Sequence, residues 1–207
     1  MWKNQQQQAT YQSSEQVQPM LNHGAHEVLD VQETLKTVIG AQNHYTLWKS
    51  QIKDTQLKEI AERQHAYLID TYNTMVDAFK TGRAPQVATY PYEMKMIHDF
   101  QFGVKQQTPL APIESPNATN DALISGILLG AVKGCATHCT TAALETTNPV
   151  VHRVLADSVP NFIEIGYELS IYQNQHHVYQ VPQLDQQDAQ TILQSFQPAS
   201  KLGLNMN

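Results

Sequence analysis

The stretch from Thr119 to His177 constrains the fold more than any other part of this chain. It holds two long apolar patterns of helical period, separated only by Thr147-Asn148-Pro149. So short a break folds the second helix back antiparallel on the first. The first pattern is capped by Thr119, Asn120 or Asp121. Its predicted inward stripe is Ile124, Leu128, Ala131, Cys135, His138, Ala142 and Glu145. The second opens at Pro149, whose fixed φ suits a first helical turn. It carries Val151, Leu155, Ser158, Phe162, Ile165, Leu169 and Tyr172 on one face, with Pro160 expected to kink it. Gly126, Gly130 and Gly134 recur every four residues, a spacing that predicts close approach of a partner helix. Lys133, His138 and Glu145 interrupt that pattern as a membrane motif.

A second pair of patterns lies earlier. One helix opens between Asn22 and Ala25 and presents Val28, Val31, Leu35, Val38, Gln42, Tyr45 and Ile52. Asp54 caps the next, whose stripe is Leu57, Ala61, His65, Leu68, Tyr72, Met75 and Phe79. Thr81-Gly82 and Pro85 stop it. Residues 83–118 then form a connection rich in proline, with one candidate helical turn within Tyr92 to Phe102. A simple fold-back needs only a few residues, so a connection this long is read as crossing the length of a bundle.

The expectation is therefore an all-α protein with one antiparallel four-helix bundle over 20–182. Its parts are a first hairpin over 22–82, a crossover over 83–118 and a second hairpin over 119–177. Residues 1–19 read as a disordered Gln-rich tail. Residues 183–207 read as a short amphipathic helix, Asp185 to Phe196, docked on the outside, followed by a loose end.

With 207 residues, 41% of them hydrophobic, the chain can bury one sizeable core. Charged residues make up only 15%, so copies repel each other weakly and dense assembly is tolerated. A net charge of −6 gives no footprint for nucleic acid. The N-terminus lacks a secretory apolar region, and the run Ile127 to Val132 is too short to span a membrane. Synthesis in the cytoplasm without membrane insertion is expected. Cys135 and Cys139 lie one turn apart on one helix and imply no disulfide framework. Any disulfide they form is expected to be intermolecular.

The sharpest chemical signal is Glu62-Arg63-Gln64-His65. Glu-x-x-His puts a carboxylate and an imidazole one turn apart, the unit that di-metal carboxylate bundles use twice. Glu27 and Glu145 are the candidate partner carboxylates. The fourth helix offers Glu164-Ile165-Gly166-Tyr167, with tyrosine where the second histidine belongs. The depths also disagree, because Glu62 and His65 fold opposite Gln42 to Tyr45 and not opposite Glu27. Glu27, Glu62, His65 and Glu145 thus stand only as vestigial metal-ligand candidates, with no catalytic residue and no cofactor expected. Cys135, His138 and Cys139 suit zinc by chemistry, but one helix cannot supply a tetrahedral set. His23, His26, His176 and His177 sit at helix ends, where solvent and dipole contacts suffice. Lys133 and Glu164 fall at similar depth and could pair. The glutamines of the tail, beside Lys3, could serve as cross-linking sites.

From Asn120 to Tyr179 the chain resembles the coat F domain of bacterial spore coat proteins. The resemblance is carried by Asn120-Asp121, by Gly130 to His138, by the turn Ala142 to Pro149, and by Val151-His152-Arg153-Val154-Leu155. The first hairpin is similar to the N-terminal half found with that domain, through Asn22 to Glu27, Lys53 to Leu57 and Thr71 to Thr74. The resemblance implies a ferritin-like four-helix bundle and a non-enzymatic structural place in the endospore coat, reached after synthesis in the mother-cell cytoplasm. Its implied partners are other coat proteins and further copies of itself. Ferritin-like ancestry makes a di-metal oxidoreductase the alternative. A small-ligand-binding bundle is a third class, with no positive signal.

Overall fold

The structure is a computed structural model that describes residues 16–199. It is all-helical: α1 spans Ala25–Trp48, α2 Thr55–Thr81, α3 Asp121–Glu145, α4 Pro149–Gln175 and α5 Gln186–Leu193. Single turns of 3-10 helix lie at Pro19–Leu21, Lys49–Gln51 and Pro116–Ala118. Among the described residues, β pairing is limited to isolated bridges from Phe102 and Gly103 to Val181. The Gln-rich tail and its cross-linking glutamines lie largely outside the described residues, as does the final Lys201 to Asn207 stretch.

Local chemistry sets the helix ends. The Asp54 carboxylate accepts the Leu57 N–H at 2.8 Å, and Asn120 caps α3 through the Leu123 N–H at 2.9 Å. Asn148 caps α4 by accepting the N–H groups of Val150 and Val151. Gly82 closes α2 in the left-handed region at φ 62°. A Cβ there would lie 1.9 Å from the Pro19 carbonyl oxygen, so the N-terminal turn can pack at that point only against glycine.

Each of the four long helices packs on two others: α1 on α2 and α3, and α4 on α3 and α2. The starts of α2 and α3 share one end, because Asp121 touches Lys53 and Asp54. At the other end Glu27 of α1 touches Asn148, the cap of α4. Adjacent helices are therefore antiparallel all round the ring. The enclosed core includes Val38, Tyr45, Leu57, Leu68, Ile124, Leu128, Phe162, Ile165 and Leu169, all nearly free of solvent.

The crossover runs along the α2–α4 face, bonded at intervals. Thr74 Oγ1 donates to the Val87 carbonyl and Tyr67 OH to the Tyr90 carbonyl. The Tyr92 N–H donates to Asn161 Oδ1, and the Gln101 N–H to Asn174 Oδ1 at 2.6 Å. This ladder passes down α2 and on toward the end of α4. The segment with the candidate helical turn is not helical. Its backbone N–H groups at Tyr92, Lys95 and Gln101 are instead engaged by side chains of α4.

Several stripes shift by one position. On α1, Glu27 is fully buried whereas Val28 is 39% exposed. On α2, Ile60, Gln64 and Tyr67 join the core, and His65 lies at its margin. On α3 the inward face runs Leu128, Val132, Cys135, Cys139 and Ala142. The predicted stripe and the buried face coincide at Ile124, Leu128, Cys135 and Ala142; between these the stripe takes Ala131 for Val132 and His138 for Cys139, and it ends on Glu145, with His138 and Glu145 both exposed. The glycine spacing does not mark a close helix contact either. A Cβ at Gly130 would meet nothing within 4 Å, and one at Gly126 or Gly134 would make only ordinary contacts. By length and composition α3 could cross a membrane, but in the structure its Ile124 to Ala142 face packs on α1 and α4. Continuous helix runs through Pro160, whose ring is exposed. No residue of α5 is buried, so it does not dock on the bundle.

Candidate functional site

Three clusters of polar side chains are built into the bundle. At one end lies Glu27, the third residue of α1. Its Oε2 accepts the N–H of Thr147 at 2.8 Å, the Thr147 hydroxyl at 2.6 Å and the N–H of Asn148 at 3.0 Å. His23 Nδ1 lies 2.7 Å from its other oxygen. Thr147 Oγ1 in turn accepts the Gly24 N–H at 2.9 Å. Burial pushes this carboxyl upward, but the hydrogen bonds from Thr147, His23 and Asn148 outweigh it and hold the pKa below the ordinary value. Asn148 Nδ2 also reaches the Gly82 carbonyl, so the start of α1, the end of α2 and the α3–α4 turn meet at one point.

The opposite end repeats the device. The Asp121 carboxylate, in the first turn of α3, accepts the N–H groups of Lys53 and Asp54 at 2.9 and 3.0 Å. Each hairpin thus carries, in its opening turn, the carboxylate that fixes the turn of the other. An ionised carboxylate meeting backbone N–H groups at a helix start is favoured both by charge-assisted hydrogen bonding and by the helix dipole.

Between the two ends lies a buried network centred on Glu168 of α4, which is fully enclosed. It accepts from Arg63 Nη2 and from Tyr92 OH, each at 2.5 Å, from Gln64 Nε2 at 3.0 Å and from the Lys95 N–H at 2.9 Å. Gln64 Oε1 accepts the Tyr45 hydroxyl at 2.6 Å. Burial pushes the Tyr45 and Tyr92 hydroxyls well above the usual tyrosine range, reinforced by the nearby Glu168 charge, so both remain donors. With Arg63 among its four donors, the enclosed Glu168 carboxylate is fully hydrogen-bonded and ties the crossover to α2 and α4.

The four metal-ligand candidates do not converge. Glu62 is exposed and lies 3.5 Å from Lys49 Nζ. His65 stacks on Tyr45 at 5.9 Å, and burial followed by the Lys49 charge lowers its pKa. Glu145 sits 3.3 Å from His26 at the rim of the opposite end, where Glu27 is occupied by the α3–α4 turn. No three His, Cys, Asp or Glu residues group as a metal set among the described residues. The inward positions of α2 and α4 that face each other are Gln64 and Glu168, not Glu62 and Glu164. Tyr167 packs outward on His98 and Phe100 of the crossover. Cys135 and Cys139 are buried while His138 is exposed, so the three do not form one ligand face. Lys133 and Glu164 form no ion pair among the described residues.

Reading the sequence missed Glu168, Gln64, Arg63, Tyr92 and Asp121 as structural polar groups. A signal existed for two of them. Taking every step of the α2 frame from Leu57 through Ile60 and Ala61 lands on Gln64, and the α4 frame places Glu168 beside Leu169 on the inner face.

Comparison with known proteins gives a consistent result. The Coat F domain matches residues 120–182. The chain is 38% identical over 196 residues to the spore coat protein F-like protein YhcQ of Bacillus subtilis (strain 168), covering 95% of this chain and 90% of that protein. No solved structure matches the chain.

Proposed function

This chain belongs to the Coat F family of spore coat proteins, which places it in the spore coat, and on that premise we propose that it is a non-catalytic structural component of the coat. It acts by folding into a firm helical body and assembling with other coat proteins and with its own copies. We read the antiparallel ring with one long crossover as a ferritin-like bundle over 20–182, flanked by the tail 1–19 and the segment 183–207.

The observation that carries this reading is the use made of the family-resembling segments. Asn22 to Glu27, Lys53 to Leu57, Asn120-Asp121 and Ala142 to Pro149 meet in the two carboxylate clasps. These four segments are used to fasten helices to one another. A group that must react needs an open position beside it, and Glu27 and Glu168 have theirs filled by donors of the fold.

The test is a fluorescent fusion followed through sporulation. It is expected to gather around the forespore and to remain on purified spores. Diffuse fluorescence that leaves the mature spore unlabelled would overturn the coat role. Elemental analysis of protein purified with iron, manganese and zinc present is expected to find no stoichiometric metal. Bound metal that is lost on Glu62→Ala would overturn the non-catalytic reading.

A further inference from the structure

The helix α5 has an apolar stripe with nothing under it. Ala189, Ile192 and Leu193 follow helical spacing and Phe196 lies three residues past the helix, yet Ile192 is 52% exposed, Leu193 75% and Phe196 79%. Leaving such side chains in water forfeits the free energy of their burial, and exposed apolar stripes of this kind mark contact surfaces.

α5 leaves the body at the end of the bundle where α4 stops. The Val181 carbonyl there accepts the Gly103 N–H at 2.8 Å, and three residues beginning with Pro182 lead to the Asp185 cap. Beside that exit a groove of about 300 Å³ opens between the crossover and the end of α4. Its apolar wall is Phe102 and Val104, 62% and 66% exposed. The groove is held in shape by two amides: Asn174 bonds both the N–H and the carbonyl of Gln101, and Gln180 does the same for Lys105.

Charge matches the two surfaces. From Pro182 to Ala199 the only charged residues are Asp185 and Asp188. The ionisable residues lining the groove are Lys105 and His177, with no acid among them. Lys105 joins no ion pair among the described residues.

We propose that the groove receives α5 of a second copy of this chain, and that the exchange is reciprocal, closing a two-fold dimer. Ile192, Leu193 and Phe196 cover Phe102 and Val104 of the other copy, and Asp188 faces Lys105. A reciprocal contact uses the same two patches twice and closes without leaving an open end. The inference rests on the assembly reading above and specifies its surface.

Analytical ultracentrifugation of the full-length chain over a range of concentrations tests it. A concentration-dependent dimer is expected. The double substitution Ile192→Asp/Phe196→Asp should give a monomer that keeps its full helical circular dichroism, since neither side chain is buried in the fold, with a Tm that no longer depends on protein concentration. Lys105→Glu should weaken the dimer about tenfold, and adding Asp188→Lys in the same chain should restore it. A wild-type chain that stays monomeric throughout overturns the proposal, as does a dimer indifferent to Ile192→Asp/Phe196→Asp. The two readings also fail separately. A monomeric wild-type chain still found on spores overturns the exchange and leaves the coat role standing, whereas a dimer that responds to these substitutions but is absent from spores supports the exchange and overturns the coat role.

Discussion

The Glu27 carboxylate and the backbone N–H of Asn148 lie 121 positions apart in the chain and 3.0 Å apart in the fold. Glu27→Ala would leave the Thr147 and Asn148 N–H groups without their acceptor. Removing one side of a buried charged contact of this kind costs about 2–4 kcal/mol. A Tm lower by roughly 5–15 °C is expected for a chain of this size. Calorimetry of Glu27→Ala beside Glu27→Gln checks this, with the glutamine variant the milder.

The same clasp has a pH signature. Because the folded pKa of Glu27 lies below its ordinary 4.5, its contribution is complete above that value and fades as pH falls through the folded pKa. The Tm difference between wild type and Glu27→Gln should therefore be flat above about pH 5.5 and shrink progressively in acid. A difference that grows in acid would contradict the assignment of the clasp as ionised.

Glu168 and Arg63 should behave as a pair. Glu168→Leu leaves the Arg63 guanidinium and the Tyr92 hydroxyl without their acceptor, an arrangement that costs about 3–5 kcal/mol. Combining it with Arg63→Met removes the stranded charge and should recover a large part of the loss. Denaturant melts of the two single variants and the double variant measure this as a non-additive coupling.

Gly82 admits no side chain. Gly82→Ala combines a left-handed φ of 62° with a Cβ only 1.9 Å from the Pro19 carbonyl oxygen. The N-terminal turn must then separate from the end of α2. A loss of at least about 1–2 kcal/mol is expected, together with faster amide exchange around Leu21 and Asn22.

Both cysteines should be silent in the native protein. They are fully buried, and burial raises the Cys135 thiol to about 12 and Cys139 further still. A thiol reagent should label neither until denaturant is added, and then both. Non-reducing electrophoresis of the native protein should show no disulfide-linked dimer. The intermolecular disulfide considered from sequence would require α3 to open first.

The all-helical architecture and the hairpin pairing were legible because apolar residues recur at helical spacing and because each turn carries its own cap. All seven residues placed on the α4 stripe are buried. The α3 stripe slipped at Ala131 because Ala131 and Val132 are both apolar, so composition could not choose between a step of three and a step of four; the second slip, to His138, passed over the buried Cys139 beside it. The polar sites were harder to read. Glu-x-x-His pointed to Glu62 and His65, while the residues that join the internal network are Arg63 and Gln64 between them. The α4 frame puts Glu168 on the inner face, but nothing local shows which donors will fill its enclosed carboxylate. That depends on Tyr92, 76 positions away. The amphipathic pattern of α5 predicts docking on its own bundle, but amphipathicity does not say against what, and no residue of α5 is buried there.

The clasps also set an order of events at the ribosome. Glu27 is synthesised 120 residues before the Thr147 N–H that it will accept. At about 5–20 residues per second, the carboxylate waits roughly 6–24 s for that turn. Through that interval the first hairpin can satisfy Glu27 only from its own opening turn, through His23. The clasp itself closes only after the α3–α4 turn has been made. A nascent chain cut short before Thr147 lacks it entirely.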